Sequence, residues 1–285
     1  MSGPGSVTVA AAPKVNLRLL VGPVREDGYH PLRSLMVALA GPADMVSVAR
    51  SAQRAVRCAG IDGIDGPANL AWAALDALEA EVGEPLPPLA VDIGKQVPAQ
   101  AGLGGGSSDA AAVLVAADRL LALGLGGDRL ERAAAAVGSD VPFFIRGGAQ
   151  WATGRGEVLT PCAVPAFECV IVAPAAGLST AAVYRAFDAL PPPPPDDGAP
   201  VPTDAAGLAG WCRNDLGPAA HALAPSLGDL HGALLAGGAS PPLLCGSGSA
   251  IAGITPDAAT ADALADRMRP VAGGARIMRA RFPGA

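Results

Sequence analysis

Aromatic and charged residues are scarce in this chain. Only 4% of its 285 residues are aromatic and 16% are charged, whereas 51% are hydrophobic. The core must therefore be built mainly from Leu, Val, Ile and Ala. A chain of this length can bury roughly 75% of its unfolded surface, which argues against widespread disorder. The length also predicts about two domains.

Cysteine pairs and long apolar runs are also lacking. The five cysteines are odd in number and contain no Cys-x-x-Cys pair, so neither a disulfide framework nor a zinc site is expected, and a cytoplasmic location fits best. The first six residues lack the basic start and apolar stretch of a signal peptide. Charges, Gly or Pro interrupt every apolar run before about 18 residues, so no membrane span is predicted.

Positive charge is not in excess, since the formal net charge is −6. A protein whose main partner is nucleic acid needs a basic surface, so that class is not expected. An anionic small ligand remains compatible with this charge. A few backbone N–H groups and one lysine are enough to hold a phosphate on an acidic protein.

The pattern of apolar residues predicts an α+β protein, because strands and helices alternate irregularly. In the strand expected at Val15–Val21, every second residue is apolar. This alternation places Lys14, Asn16 and Arg18 together on the other face.

Further along the chain, we expect a helix over 69–80, a strand over 89–97 and a helix over 107–123. A third helix is expected to begin with a capping box at Asp128. Continuous strands are expected over 151–159 and 243–254. The five prolines of 191–195 exclude a helix or the interior of a sheet, and we interpret this segment as a stiff surface spacer.

A glycine-rich segment, GLGGGSSD at 102–109, is the sharpest feature of the sequence. Its glycines permit positive φ angles and let an anion approach without a Cβ in the way. Ser107 and Ser108 suit the N-cap of the following helix, whose free N–H groups and positive dipole end face the glycines. The segment predicts a phosphate-binding loop; the alternative is a flexible turn capped by serine.

Two common phosphate-binding motifs do not fit this loop. A P-loop requires Gly-Lys-Ser/Thr, but Gly94-Lys95 is followed by Gln96. A dinucleotide-binding fingerprint requires GxGxxG followed by a second strand and an acidic residue. Here a helix follows the glycines, and Asp128, although at a suitable distance, fits a helix cap better.

Three segments resemble the motifs of the GHMP kinases, a superfamily of small-molecule kinases. KQVPAQAGLGGGSSDAAA at 95–112 is similar to their second motif, and LCGSG at 244–248 to their third. PKVNLRL at 13–19 and REDGYH at 25–30 are similar to the first motif of one branch. The resemblance covers nearly the whole chain and implies a two-domain GHMP-type α+β fold. The ATP-binding domain would span 1–150 and the C-terminal domain 151–285.

The resemblance implies an ATP-dependent kinase with an alcohol acceptor. In the branch that carries REDGYH, the acceptor is the 2-hydroxyl of a cytidine diphosphate-linked methylerythritol, a small molecule of non-mevalonate isoprenoid synthesis. Mg²⁺ is expected to accompany ATP, because nucleotide phosphates need their charge neutralised. No dedicated set of protein metal ligands is expected, and Ser107 and Ser108 are the candidates for contact with the ion. The implied assembly is a monomer or homodimer without nucleic-acid or membrane partners.

Lys14 and Asp140 are the catalytic residues that the resemblance implies. Because a proline disfavours the helical conformation of the residue before it, Val141 is expected to be extended and Asp140 to lie on a fixed turn. A carboxylate beside the acceptor hydroxyl can take its proton. Lys14 can neutralise charge on the transferring group. Taken alone, Lys14 would be interpreted as a solvated strand-end charge and Asp140 as a turn residue.

The resemblance also assigns two sets of binding residues. The substrate set, in which Asn and His satisfy a cytosine edge and Tyr stacks on it, is Asn16, Tyr29, His30 and Tyr184. The nucleotide set is Asn69, Lys95, Pro98, Ala99, Gln100, Ala101, Gly102, Leu103, Gly104, Gly105, Gly106, Ser107 and Ser108. Two alternatives stay open: Asn69 as a simple helix N-cap, and His30 as a surface histidine.

Three departures from the family pattern bear on the acceptor rather than on the transfer chemistry. Cys245 stands where serine is usual, the segment 41–44 lacks the bulkier residues expected there, and the segment 191–210 matches nothing in detail. One alternative is a GHMP kinase acting on a different alcohol, against which REDGYH, Asn16 and Tyr184 argue. The other is an inactive relative that binds ligands and regulates a partner, against which the presence of Lys14 and Asp140 argues.

Overall fold

A computed structural model describes residues 5–26, 28–60, 64–240 and 242–284, with the side chain of residue 209 excepted. Asp27, in the REDGYH segment, lies outside these ranges. The strands are β1 (Ser6–Ala11), β2 (Lys14–Val21), β3 (Leu32–Ala38), β4 (Asp44–Arg50), β5 (Ala55–Ala59), β6 (Leu89–Gly94), β7 (Ala149–Gly154), β8 (Val158–Pro161), β9 (Phe167–Ala173), β10 (Arg213–Asn214), β11 (Pro242–Leu244), β12 (Ile251–Thr255) and β13 (Arg276–Phe282). The helices are α1 (Leu70–Val82), α2 (Gly105–Leu121), α3 (Gly126–Val137), α4 (Val141–Arg146), α5 (Thr180–Asp188), α6 (Ala205–Trp211), α7 (Gly217–Leu223), α8 (Ser226–Ala236) and α9 (Ala258–Met268).

The chain divides into two compact units, and neither is a single continuous stretch. The first unit consists of Met1–Pro13, Ala43–Val97 and Gly104–Gly147, and the second of Lys14–Pro42, Pro98–Leu103 and Gly148–Ala285. This division differs from a single boundary at residue 150. The reason is strand pairing: β2 and β3 form a sheet with β7, which draws their segment into the second unit.

The first unit is built on a four-stranded sheet in the order β1-β4-β6-β5. Neighbouring strands are antiparallel, except that β5 runs parallel to β6. Helix α2 packs against β1, β4 and α1. The core contains Val46, Val48 and Val91 from the strands and Leu75 and Leu114 from the helices. Burial of these side chains holds α2 in place within the unit, and with it residues 104–109 of the glycine-rich segment.

The second unit contains two sheets. One has the order β10-β2-β3-β7-β8, and the other β11-β12-β9-β13. Helices α5, α7, α8 and α9 contribute to a core that includes Leu19, Val170, Val183, Leu230 and Leu264. All eight residues of β2 are buried, including its polar ones.

Within the described ranges, the structure holds no helix with both the length and the apolar character that a membrane crossing requires.

Two predicted strands are wrong as continuous elements. The segment 151–159 falls in the hairpin of β7 and β8, because the chain turns after Gly154, whose φ is +74°. The segment 243–254 is likewise divided into β11, a loop and β12, and the loop contains Gly246 at φ +53° and Gly248 at φ +87°. Positive φ angles at glycine permit the turns that alternation of apolar residues does not reveal.

Candidate functional site

Strand β2 carries the predicted catalytic lysine. Lys14 is only 4% exposed, and its Nζ donates a hydrogen bond of 2.6 Å to Oδ1 of Asn16. The amide of Asn16 in turn donates to Oγ of Ser34 on β3 at 2.8 Å. The prediction that Lys14 and Asn16 share a face is therefore confirmed. Sequence reasoning missed Ser34, because nothing local indicates which residue of a later strand will face Asn16.

Arg18, on the same strand, has a different environment. The register between β2 and β3 shifts just before it, as at a β-bulge. Its guanidinium contacts Asp197 at 2.5 Å and Asp196 at 3.1 Å, and donates to the carbonyl of Trp211 at 3.1 Å. The proline-rich segment 191–202 is thus anchored within the second unit by a buried arginine, which the interpretation as a surface spacer did not anticipate.

The backbone of Gly102 makes a close contact with the third motif. Its φ is +75°, and a Cβ at this position would lie 1.7 Å from the carbonyl oxygen of Cys245. The amide of Ala250 also donates to the carbonyl of Ala101 at 3.1 Å. Only glycine fits at 102, for reasons of both conformation and space. Burial raises the pKa of the Cys245 thiol to about 12, so this departure from the family pattern adds no reactive group.

The loop between β11 and β12 also approaches the side chain of Lys14. A Cβ on Gly246 would lie 3.2 Å from Nζ of Lys14. The amide of Asn214 donates to the carbonyl of Gly246 at 2.7 Å and thereby holds the loop. On the other side, the backbone N–H of Lys14 donates to the carbonyl of Leu103 at 2.9 Å. Parts of the first, second and third motifs thus meet around Lys14 within the second unit.

Helix α2 begins earlier than predicted, at Gly105. Gly104 is its N-cap, with φ of +72°, and no side chain caps the helix. The predicted capping role of Ser107 and Ser108 is therefore wrong: both lie in the first turn, where the hydroxyl of Ser108 donates to the carbonyl of Gly105 at 3.0 Å. The N–H groups of a helix's first turn have no acceptor within the helix, and its dipole is positive there. This end of α2 suits a phosphate.

Lys95 lies beside the start of α2, and a Cβ on Gly105 would be 3.3 Å from its Nζ. The ammonium binds Oδ2 of Asp109 at 2.8 Å and also contacts Asp44, which is fully buried. The backbone N–H of Val97 donates to the same Asp44 carboxylate at 2.7 Å. The lysine is therefore held by two carboxylates of its own unit.

Lys95, Asp44 and Asp109 form a group of charges that we call the Lys95 cluster. Within it, the pKa values of Lys95 and Asp109 are shifted. Burial raises the pKa of Asp109 to about 7, although the positive charge of Lys95 opposes that change. Burial alone would lower the pKa of Lys95, but the charges and hydrogen bonds of Asp109 and Asp44 outweigh it and raise that pKa. Oδ1 of Asp109 is buried without a hydrogen-bond partner in the described part of the chain.

Asn69 forms the N-cap of α1, and its Oδ1 accepts from the backbone N–H of Ala71 at 2.9 Å. The alternative interpretation of this residue as a helix cap is confirmed. Capping uses one side-chain atom and leaves the amide nitrogen for other contacts. A role of Asn69 in nucleotide binding stays a prediction.

Asp140 connects α3 to α4 in the first unit and is the N-cap of α4. The expectation that Val141 is extended is wrong, because Val141 is the first residue of that helix. Pro142 follows in the first turn, where a missing N–H costs no hydrogen bond and the fixed φ suits a helix. The third helix also differs from its predicted start: it begins at Gly126, and Asp128 does not cap it.

Two residues of the predicted substrate set come together in the second unit. The ring centroids of His30 and Tyr184 are 5.5 Å apart, and those of His30 and Phe187 are 5.8 Å apart. The His30 side chain is 7% exposed, so the interpretation as a surface histidine is wrong. Tyr29 is 55% exposed, and the guanidinium of Arg155 lies 5.0 Å from the centre of its ring.

Comparison with known proteins identifies several relatives. Residues 69–148 match the model of the GHMP kinases N terminal domain family. The 4-diphosphocytidyl-2-C-methyl-D-erythritol kinase of Moorella thermoacetica is 38% identical, over 92% of this chain and 95% of the relative. The enzyme of the same name from Streptomyces coelicolor is 39% identical, over 93% of this chain and 92% of the relative.

A solved structure has the same fold and a similar sequence. The crystal structure of a 4-(cytidine 5'-diphospho)-2C-methyl-D-erythritol kinase matches with a TM-score of 0.73 and 34% identity, covering 96% of this chain and 99% of the other. Homoserine kinase from Cytophaga hutchinsonii matches with a TM-score of 0.72 at 18% identity, over 99% and 96% of the two chains, which shows a likeness of fold alone. The predicted α+β, GHMP-type fold is confirmed.

Proposed function

Because this chain belongs to the 4-diphosphocytidyl-2-C-methyl-D-erythritol kinase family, we propose that it transfers the γ-phosphate of ATP to the 2-hydroxyl of 4-diphosphocytidyl-2-C-methyl-D-erythritol. The observation that carries the proposal is identity of 38% and 39% to two enzymes of that name over more than nine-tenths of the chain. The step belongs to isoprenoid precursor synthesis outside the mevalonate route.

In the proposed mechanism, Asp140 orients the acceptor and takes its proton. The 2-hydroxyl oxygen forms the new bond to the γ-phosphorus, and the bond from that phosphorus to the β–γ bridging oxygen breaks, releasing ADP. The proton of the hydroxyl passes to the Asp140 carboxylate. Lys14 stabilises negative charge on the transferring phosphoryl group. Its hydrogen bond to Asn16 fixes the position of the ammonium within the second unit.

We assign the ATP phosphates to the start of α2. The first-turn N–H groups and the dipole of α2 supply donors and partial positive charge there, and the glycines leave the backbone open to the phosphates. Ser107 is partly exposed, whereas Ser108 is buried and its hydroxyl donates to the carbonyl of Gly105. Lys95 would support this loop from beneath Gly105, and residues 98–103 would complete the nucleotide set together with Asn69.

Mg²⁺ fits this site as a companion of ATP. Among the described residues, no three His, Cys, Asp or Glu side chains form a group that could hold a metal ion. Asp44 and Asp109 are occupied by Lys95. The ion would therefore bind mainly to phosphate oxygens and water, as Mg²⁺ commonly does, with the Ser107 hydroxyl as the protein group we assign to it. It would neutralise charge on the phosphates.

The experiment that tests the proposal is a coupled ADP-release assay with ATP, Mg²⁺ and a panel of acceptors. The panel contains 4-diphosphocytidyl-2-C-methyl-D-erythritol, mevalonate, homoserine and galactose. We expect turnover with the first acceptor alone. Turnover only with another alcohol would refute the acceptor assignment, and absence of turnover with all four would favour a ligand-binding regulator.

The role of Asp140 is tested by Asp140→Asn, which keeps the size of the side chain and removes the base. General-base catalysis typically contributes about 10²- to 10⁴-fold, so we expect kcat to fall within that range while binding of a fluorescent ATP analogue persists. Asp128→Asn, at an exposed position on the neighbouring helix α3, is the matched control and should retain kcat. A near-normal rate in Asp140→Asn would refute the mechanism.

A further inference from the structure

Residues 191–197 form a strap within the second unit, in which five prolines are followed by Asp196 and Asp197. The acidic end of the strap is fixed by Arg18, which is only 2% exposed and contacts Asp197 at 2.5 Å and Asp196 at 3.1 Å. The second carboxylate oxygen of Asp196 accepts from Arg33 on β3 at 2.5 Å. One carboxylate thus bridges arginines of two neighbouring strands, and these charged hydrogen bonds fix its place on the sheet.

Two tryptophan rings support these arginines. The guanidinium of Arg18 lies 4.9 Å from the centre of the Trp211 ring. That of Arg33 lies 4.0 Å from the centre of the Trp151 ring, and the two rings meet edge to face with centroids 6.1 Å apart. Trp211 also donates from Nε1 to the carbonyl of Ala199, just beyond the strap, at 3.0 Å. Because Arg18 is buried, stacked and hydrogen-bonded at once, it is a rigid anchor for the strap.

The other end of the strap is joined to helix α5. The helix ends at Asp188, and the backbone N–H of Leu190 donates to the carbonyl of Phe187 at 3.0 Å, so one tight turn separates the helix from the first proline. Helix α5 carries Tyr184, whose ring centroid is 5.5 Å from that of His30, and Asp188, whose Oδ1 is 3.1 Å from Nε2 of His30. A movement of the last turn of α5 would therefore shift both side chains relative to His30.

Between its two ends the strap has little to rest on. Most of its prolines are exposed, and Pro192–Pro195 line a cavity of about 630 Å³ together with Val24 and Leu190. A flexible segment beside a cavity could bend, because no packed side chains would hold it. A run of prolines resists bending, since each ring fixes its own φ and the run favours an extended conformation of about 3.1 Å per residue. The prolines therefore make a stiff connection between α5 and Arg18.

We propose that Arg18 is a positioning residue for the acceptor: through the stiff strap it fixes the last turn of α5, and with it the side chains that face His30. Arg18 acts through the strap because its guanidinium is occupied by the two carboxylates and by the carbonyl of Trp211. The inference rests on the proposed function, since the acceptor is the molecule whose binding the strap would control. It predicts a change in acceptor affinity with no change in phosphoryl transfer.

The deciding variant replaces the prolines and keeps every anchoring side chain. In Pro192→Gly/Pro193→Ser/Pro194→Gly, which we call the flexible-strap variant, the strap keeps its length and its contacts with Arg18. It loses its stiffness, because Gly/Ser segments behave as flexible coils. The matched control is Pro87→Gly/Pro88→Ser, at exposed positions between α1 and β6 in the first unit.

Initial rates are measured with ATP and 4-diphosphocytidyl-2-C-methyl-D-erythritol, each varied in turn. In the flexible-strap variant we expect the KM for this acceptor to rise about three- to tenfold, the penalty for ordering one loosened side chain on binding. The kcat and the KM for ATP should stay constant. The effect is limited to this range because Val183 and Phe187 still pack α5 into the core. The control variant should keep both KM values.

Two further measurements make the result specific. Amide hydrogen exchange of α5, measured without ligands, should become faster in the flexible-strap variant and stay unchanged in the control. Arg18→Met should raise the acceptor KM in the same way, and Arg18→Lys, which keeps the charge but not the planar fork, should recover part of the affinity. Because removal of a buried arginine can unfold a protein, the flexible-strap variant decides the question if Arg18→Met does not fold.

The outcomes separate the inference from the proposed function. If the wild type uses the acceptor and the flexible-strap variant keeps the wild-type acceptor KM, the strap is a surface spacer and this inference is wrong, while the proposed function stands. A fall in kcat together with a rise in both KM values would show a general loss of structure and would also overturn the inference. If the wild type does not phosphorylate the acceptor at all, the inference and the proposed function fall together.

Discussion

Two buried lysines, one in each unit, contact different kinds of side chain within their own unit. Lys95, in the first unit, contacts the carboxylates of Asp44 and Asp109. Lys14, in the second unit, donates to the neutral amide oxygen of Asn16. Carboxylates of the same unit offset the positive charge of Lys95, whereas the amide of Asn16 orients the ammonium of Lys14.

This difference separates structural stability from chemistry. Removing one member of a buried ion pair leaves an uncompensated charge, which is strongly destabilising. Removing Lys14 takes a hydrogen-bond donor away from Oδ1 of Asn16, which is a neutral atom, and an unsatisfied neutral acceptor costs less than an uncompensated charge. We therefore expect substitution of Lys95 to be measured mainly as lost stability, and substitution of Lys14 mainly as lost rate.

The largest effect on rate is expected for Lys14→Met. Loss of a group that stabilises transition-state charge typically lowers kcat about 10²- to 10³-fold. Loss of the hydrogen bond to the Asn16 oxygen should lower the unfolding free energy by about 1–3 kcal/mol. The coupled ADP-release assay measures the first quantity and urea unfolding the second.

Ser34→Ala is the control for this prediction, because it removes the next hydrogen bond of the same chain of contacts, Asn16 Nδ2 to Ser34 Oγ, and leaves the ammonium in place. It should retain most of kcat. The contrast between the two lysines would fail if Lys14→Met kept its kcat and lost as much stability as is expected for Lys95→Met.

Lys95→Met should have the larger effect on stability. Breaking a buried ion pair on one side costs about 3–5 kcal/mol, and here two carboxylates lose their partner. The double variant Lys95→Met/Asp109→Asn removes one of the stranded charges and should recover part of the loss. Urea unfolding of the single and double variants measures both the loss of stability and its partial recovery. A Lys95→Met protein as stable as the wild type would contradict the structural role.

Local signals predicted part of this molecule from the sequence. The glycine-rich segment was located because glycines before a helix are visible in the sequence itself. The shared face of Lys14 and Asn16 followed from the two-residue period of a strand, and the N-cap at Asn69 from its place before an apolar helix. Each of these features depends on residues only a few positions apart.

Contacts between distant residues were not predictable in the same way. Asp44 is 51 residues from Lys95, and no pattern in the sequence pairs them. Asp188 meets His30 only after α5 has packed in the second unit. The discontinuous units arise likewise from strand pairing, which joins β3 to β7 across more than a hundred residues. Tertiary packing decides such pairings, and a single sequence leaves them open.

The smallest expected effect, and the sharpest test of the Lys95 cluster, is the pH dependence contributed by Asp109. Its pKa of about 7 in the folded protein exceeds the ordinary value of about 3.9 expected in the unfolded chain. Between those values the folded state binds more protons, so this group makes stability fall as pH rises. Asp109→Asn mimics the neutral form and should remove that slope, so its stability relative to the wild type should rise by about 1–3 kcal/mol from pH 5 to pH 8. Urea unfolding at several pH values measures this difference, and Asp266→Asn, at an exposed position, is the control. If stability depended on pH in the same way in Asp109→Asn and the wild type, Asp109 would stay ionised beside Lys95 throughout this range.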